Sequence, residues 1–139
     1  MQPIKSILSS WFWVWFGIII GLSFMATPIK FHATQLELPV ALEVGKVTFQ
    51  LLAKAEWFLA IALVVALVAK PNKITLILIA AMVIILVLQQ LWLMPALYGR
   101  ADAVIAGGTS SSSVIHLFYI IAEVAKLVAL AGLGFFVRR

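Results

Sequence analysis

Six charged or amide side chains lie deep within the apolar stretches of this sequence, and they are the residues best placed to do chemistry. They are Lys54, Glu56, Gln89, Gln90, Glu123 and Lys126. If each stretch forms a helix that rises ~1.5 Å per residue, all six lie at a similar depth, roughly 18 to 26 Å from one end of the helices. Because a lone charge at that depth in lipid is costly, opposite charges at equal depth should pair. The sequence therefore predicts that helix two meets helix four through Lys54 with Glu123 or through Glu56 with Lys126.

Polar residues also repeat at helical spacing along two of the stretches. In the last stretch, one helix sector carries His116, Tyr119, Glu123 and Lys126. In the second stretch, one helix face carries Glu43, Lys46, Gln50 and Lys54. Together these faces predict a polar cleft that opens outward between helices two and four. Its candidate residues for binding a ligand or ion are Lys54, Glu56, Gln89, Gln90, His116, Tyr119, Glu123 and Lys126.

Two interpretations of this polar layer remain open. In the first, the polar groups form a structural network that fixes helix register and pairing, including at an oligomer interface. In the second, they line a site for a ligand, an ion or a proton, because ionisable residues buried in membranes are often functional.

A metal or haem site is a further hypothesis, and a cofactor-free protein is the leading expectation. His32, His116, Met25 and Met94 supply nitrogen and thioether ligands suited to copper(I), and the two histidines could ligate haem. Their spacing matches no metal signature, and methionine is an ordinary packing residue. The sequence also contains no nucleophile elbow, phosphate-binding loop or zinc-protease motif, so it favours a protein that is not an enzyme.

The elements that position these residues follow from the composition. Of 139 residues, 65% are hydrophobic and 11% are charged, a balance that requires lipid as the solvent. We predict one all-α transmembrane domain over residues 1–139, an antiparallel four-helix bundle. Its helices span about 7–27, 39–69, 73–94 and 113–137, with outer connectors over 28–38 and 95–112. The first apolar stretch is too long for a signal peptide, and we expect it to be retained.

Prolines and tryptophans predict where helices one and three end and how helix one is anchored. Pro28 and Pro95 are expected to end these helices, because proline cannot continue the hydrogen-bond ladder. Trp11, Trp13 and Trp15 are typical of an anchor at the level of the lipid headgroups.

The net charge of +5 is distributed in a way that predicts topology rather than nucleic-acid binding. The terminal segments and the turn between helices two and three carry Lys5, Lys70, Lys73, Arg138 and Arg139, with no acidic residue. The opposite, outer side carries Lys30, Lys46 and Arg100, balanced by Glu37, Glu43 and Asp102. By the positive-inside rule, both termini should face the cytoplasm of a bacterial inner membrane.

Short motifs relate the sequence to a known family. Gly21-Leu22-Ser23-Phe24 precedes Pro28-Ile29-Lys30-Phe31, and Gly45-Lys46-Val47-Thr48-Phe49 follows. With Pro95, Arg100 and His116 further along, the pattern resembles the small membrane proteins grouped as domain of unknown function 4149. The resemblance implies a four-helix membrane bundle and no settled reaction. The sequence departs from this family in its charged segment from Glu37 to Glu56 and in the presence of Glu123 and Lys126.

These observations favour a non-enzymatic binding or accessory protein of the membrane. We expect it to act as a homo-oligomer or within a larger membrane complex, with the lipid bilayer as its surroundings. The first alternative is a small transporter or proton-coupled carrier in which Glu56 or Glu123 changes protonation. The second is a redox protein that binds haem or copper.

Overall fold

A computed structural model describes residues 2–67, 73–109 and 114–137, and nearly all of this described part is helical. Within it, four helices are long and apolar enough to cross a membrane, over Lys5–His32, Leu38–Val64, Lys73–Ile105 and Val114–Phe136. A helix satisfies every backbone hydrogen bond within its own segment, which is what lipid requires of such apolar sequence. The chain is therefore an all-α, multi-pass membrane protein, as predicted.

Helices one and three are each composed of several segments. Helix one is α-helical over Gln2–Ile19, π-helical over Ile20–Ala26, α-helical over Thr27–Ile29 and ends in a 3-10 turn over Lys30–His32. Helix three is α-helical over Lys73–Leu88, π-helical over Gln89–Leu93 and α-helical again over Met94–Ile105. Helices two and four are continuous over Leu38–Leu67 and Val114–Phe136.

Pro28 and Pro95 do not end their helices, contrary to the sequence-based expectation. Each lies two residues beyond the last residue of a π-helical segment. A proline has no N–H to donate, and its ring collides with the carbonyl of the preceding turn, so the wider π turn accommodates it. In helix one, the Thr27 hydroxyl also donates a hydrogen bond of 2.8 Å to the Leu22 carbonyl, where the ladder changes.

The connectors are consequently shorter than predicted. Residues 28–32 and 95–105, assigned to connectors from the sequence, are helical. Helix three ends at Ile105, and two residues later Gly107 has a left-handed backbone with a φ of 91°, a conformation that favours glycine just beyond a helix end. The predicted end of helix two near residue 69, the turn at residues 70–72 and the serine run at residues 110–113 lie outside the described residues.

Two apolar clusters form the core. The larger one draws on all four helices and includes Phe12, Ile19, Leu52, Leu63, Met82, Leu86 and Leu130. The smaller one contains Leu93, Met94 and Tyr119. Gln89 lies in sequence between these clusters along helix three, and Glu123 and Lys126 lie between them along helix four. The polar residues are therefore held within the core by apolar packing on either side.

Helices one and four are in close contact at Gly134. The Ser9 hydroxyl donates to the Gly134 carbonyl at 2.9 Å. A Cβ atom at position 134 would lie 2.9 Å from Nε1 of Trp13, so a larger residue would displace that indole.

Candidate functional site

Three buried charged residues form an ion cluster, which comprises Glu56, Glu123 and Lys126. The Lys126 ammonium lies 2.6 and 2.8 Å from the two carboxylate oxygens of Glu56 and 2.8 Å from Oε1 of Glu123. The three residues are 0 to 2% exposed. One ammonium thus bridges two carboxylates, and it joins helix two to helix four by the Glu56–Lys126 pair, one of the two pairings that the sequence predicted.

Neutral side chains complete the cluster. Trp15 Nε1 donates to Glu56 at 3.1 Å. Gln89 Nε2 donates to Oε1 of Glu123 at 2.8 Å, and the Ser23 hydroxyl donates to Oε2 at 3.1 Å. All four helices therefore contribute, and among the described residues no buried side-chain nitrogen or oxygen lacks a hydrogen-bond partner.

The two π-helical segments supply two of the neutral donors to Glu123. Ser23 lies within Ile20–Ala26, and Gln89 is the first residue of Gln89–Leu93. A π turn holds an extra residue and redirects the side chains that follow, and such turns are frequent at functional sites. The irregular geometry near Pro28 and Pro95 is thus part of how the Glu123 carboxylate is coordinated.

Ser23 and Trp15 were missed as members of the cluster by sequence reasoning. Trp15, predicted to be an interfacial anchor, is 1% exposed and hydrogen-bonded to Glu56. A single serine in an apolar helix does not by itself indicate a buried hydrogen bond. The nearby Pro28 was the only sequence signal that the helix is irregular around Ser23.

Lys54 and Gln90 belong to a different feature, which we call the Lys54 groove. Both side chains are exposed. The groove has a volume of about 520 Å³ and is lined by Gln50, Ala53, Lys54, Trp57, Gln90, Met94 and Tyr98. It lies between helices two and three, whereas the ion cluster joins helices two and four.

His116 and Tyr119 are also separated. Tyr119 is buried beside the ion cluster, where its hydroxyl donates a hydrogen bond to the Glu123 carboxylate, and its ring meets the edge of Phe49 with 5.0 Å between centroids. His116 is exposed and lines a second cavity of about 110 Å³. This Lys30 cavity is lined by Thr27, Lys30, Phe31, Leu42, Gly45, Lys46, Phe49, Leu97, Tyr98, Ala101 and His116.

A comparison with known protein families identifies the family of this sequence. The family described as Domain of unknown function (DUF4149) matches residues 11–103, more than half of the chain. The chain belongs to the DUF4149 family. The matched range includes Trp15, Ser23, Glu56 and Gln89 and ends before Glu123 and Lys126. No curated protein and no solved structure matches the chain significantly.

In this DUF4149 protein, the four residues considered for copper or haem lie in different surroundings. Met94 is buried against Leu93 and Tyr119, whereas Met25 is 61% exposed. His32 is exposed, with Nδ1 at 3.1 Å from the Pro28 carbonyl. None of these three lines the Lys30 cavity with His116. In the described part of the chain, no three His, Cys, Asp or Glu side chains are grouped to hold a metal.

The ion cluster of this DUF4149 protein has a charge imbalance that bears on its chemistry. Two carboxylates face one ammonium, so full ionisation would leave one excess negative charge. An uncompensated charge in an apolar interior is unfavourable. One bound proton would make the cluster neutral, and proton uptake or release is the chemistry that this closed site could perform.

Proposed function

We propose that this protein is a non-enzymatic binding component of the bacterial inner membrane, and that its Lys54 groove holds an anionic amphiphile. One observation carries the proposal: Lys54 is exposed inside a membrane-spanning helix, and it forms no ion pair with an acidic side chain among the described residues. A cation within a membrane requires a counter-charge or must extend to the headgroups. The negative group of an amphiphile satisfies this requirement.

The lining of the groove also fits such a ligand. Gln50, Lys54 and Gln90 provide polar groups for a head, and Ala53, Trp57 and Met94 provide apolar contacts for a chain. The groove is open, so an amphiphile could enter it from the surrounding lipid.

Native mass spectrometry in mild detergent tests the proposal, with added phosphatidylglycerol compared with phosphatidylcholine. We expect preferential binding of the anionic lipid and about fivefold weaker binding in Lys54→Gln, since one lysine contributes ~1 kcal/mol near anionic lipid. Lys73→Gln is the matched control, because Lys73 is also exposed but does not line the groove. Equal binding by both variants would refute the proposal. The same spectra give the subunit stoichiometry, and so test whether the protein acts as a homo-oligomer or in a larger complex.

We further propose an antiparallel bundle with both termini in the cytoplasm. The terminal segments and the turn between helices two and three carry five basic residues and no acidic residue, and this excess of positive charge favours the proposed orientation. The contacts of Ser9 with Gly134 and of Ser23 with Glu123 favour helices one and four running in opposite directions.

The absence of cysteine makes single-cysteine labelling a clean test of orientation. Both Ser6 and Thr109 are exposed, at opposite ends of the proposed bundle. In intact cells, a membrane-impermeant maleimide should label Thr109→Cys, and it should label Ser6→Cys only after the membrane is broken. The reverse pattern would overturn the orientation.

A proton-coupled carrier is the second candidate function. The excess carboxylate in the ion cluster supports it, as do the two π-helical segments that supply donors to Glu123. Proteoliposomes loaded with a pH-sensitive dye should then show a proton flux that Glu123→Gln abolishes although the variant still folds. If wild-type protein carries no flux and Glu123→Gln lowers only the unfolding temperature, the cluster is structural.

A further inference from the structure

The Lys30 cavity combines basic and aromatic side chains from all four helices. The end of helix one supplies Lys30, helix two supplies Lys46, the last segment of helix three supplies Tyr98, and the start of helix four supplies His116. Its volume of about 110 Å³ leaves room for several water molecules, and therefore for a small anion.

The Lys30 ammonium is positioned at this cavity, and among the described residues it has no counter-charge. Its Nζ lies 5.1 Å from the ring centroid of Phe31 and 5.9 Å from that of Phe49, both within cation–π range. It also lies directly over Gly45, where a built Cβ atom would overlap it. Lys30 forms no ion pair within the described residues. Aromatic rings and a glycine therefore hold an uncompensated cation in a defined place.

The other polar groups of the cavity are already engaged, with one exception. Lys46 forms an ion pair with Asp102. The Thr27 hydroxyl donates to the Leu22 carbonyl, and the Tyr98 hydroxyl donates to the Lys46 carbonyl at 3.4 Å. The exception is the exposed imidazole of His116, which has no hydrogen-bond partner among the described residues, so Lys30 and His116 are the groups that remain to bind a ligand.

We propose that the Lys30 cavity binds a phosphate group, with the Lys30 ammonium as its counter-charge and the His116 imidazole as a second donor. The two are able to meet a phosphate together because they line the same small cavity. The phosphate has two sources, free inorganic phosphate or the headgroup of an anionic lipid. This site is distinct from the Lys54 groove, although Tyr98 lines both.

Calorimetric titration of the full chain in detergent distinguishes these sources. The probes are inorganic phosphate and short-chain phosphatidylglycerol, each compared with chloride at equal ionic strength. Binding of either probe supports the site, and the probe that binds identifies the source. No binding of either probe would overturn the proposal.

Variants locate the binding. Lys30→Gln should weaken binding at least tenfold, because it removes a charged hydrogen-bond donor. His116→Ala should weaken it severalfold, whereas Lys5→Gln, at an exposed lysine outside the cavity, should leave it unchanged. Gly45→Ala offers a second test, since it displaces the Lys30 ammonium and should also weaken binding. Thermal unfolding confirms that each variant is folded, and unaltered affinity in folded Lys30→Gln would place the ligand elsewhere.

Discussion

Lys126 and Lys54 both lie within membrane-spanning segments, but their surroundings are opposite. Lys126 is fully buried, with two carboxylates at hydrogen-bond distance. Lys54 is exposed in an open groove and has no acidic neighbour among the described residues. The protein itself satisfies the first charge, whereas the second faces the surroundings of the bundle.

The difference arises from helical phase. Lys54 and Glu56 are two residues apart on helix two, and a separation of two residues places side chains on nearly opposite faces of a helix. Gln89 and Gln90 are adjacent on helix three and also point in different directions. Gln89 donates to Glu123, and Gln90 lines the groove. Residues at one depth thus divide between a closed interior and an open surface, and depth alone does not decide which residues share a site.

Removing the cation of the ion cluster should have the largest effect. Lys126→Met is expected to lower the free energy of unfolding by about 3–5 kcal/mol, because it leaves two buried carboxylates without a counter-charge. Reversible denaturant unfolding in detergent measures this loss. Lys54→Met is the comparison, and it should change stability by only about 0.5 kcal/mol, as is usual for exposed positions. Similar small losses in both variants would contradict a stabilising role for the cluster.

Neutralising one carboxylate should have a smaller effect. Glu123→Gln leaves one carboxylate, Glu56, for one ammonium, so the cluster keeps its ion pair and becomes neutral. We expect a loss of about 1–2 kcal/mol, the scale of weakened hydrogen bonds. The same unfolding measurement checks this value. A loss as large as that of Lys126→Met would mean that the charge balance of the cluster does not determine its stability.

The sequence predicted much of the fold for a simple physical reason. Lipid requires long apolar helices, so composition alone revealed the four spans that the structure contains. Counting residues along those spans also placed Glu56 level with Lys126, and these two residues pair.

The sequence was less informative where the helices depart from α geometry. Pro28 and Pro95 looked like helix ends, because the local rule does not foresee a π turn two residues earlier. The direction in which the Ser23 side chain points depends on the π geometry, and the burial of Trp15 depends on tertiary packing. Apolar periodicity encodes neither. The division of the polar layer into a cluster and a groove could therefore not be read from spacing.

Ser23→Ala tests whether the π-helical segment of helix one stabilises the cluster. The hydroxyl donates to Glu123 at 3.1 Å, and hydrogen bonds between membrane helices contribute about 0.6 kcal/mol on average. We expect a loss of this size in detergent unfolding. Ser10→Ala is the control, since Ser10 is exposed on the same helix. If both variants were equally stable, the Ser23 contact would serve geometry and not stability.

The smallest effect is expected at the exposed ion pair between Lys46 and Asp102. Their side chains are 25% and 58% exposed, and exposed pairs contribute about 0.2–1 kcal/mol. A double-mutant cycle with Lys46→Gln and Asp102→Asn should give a coupling in this range that fades at high salt, because water and ions screen exposed charges. The equivalent cycle for Glu56 and Lys126 should be larger and insensitive to salt. If the Lys46–Asp102 coupling were also large and insensitive to salt, this pair too would be shielded from solvent, since burial is what protects the Glu56–Lys126 pair from screening.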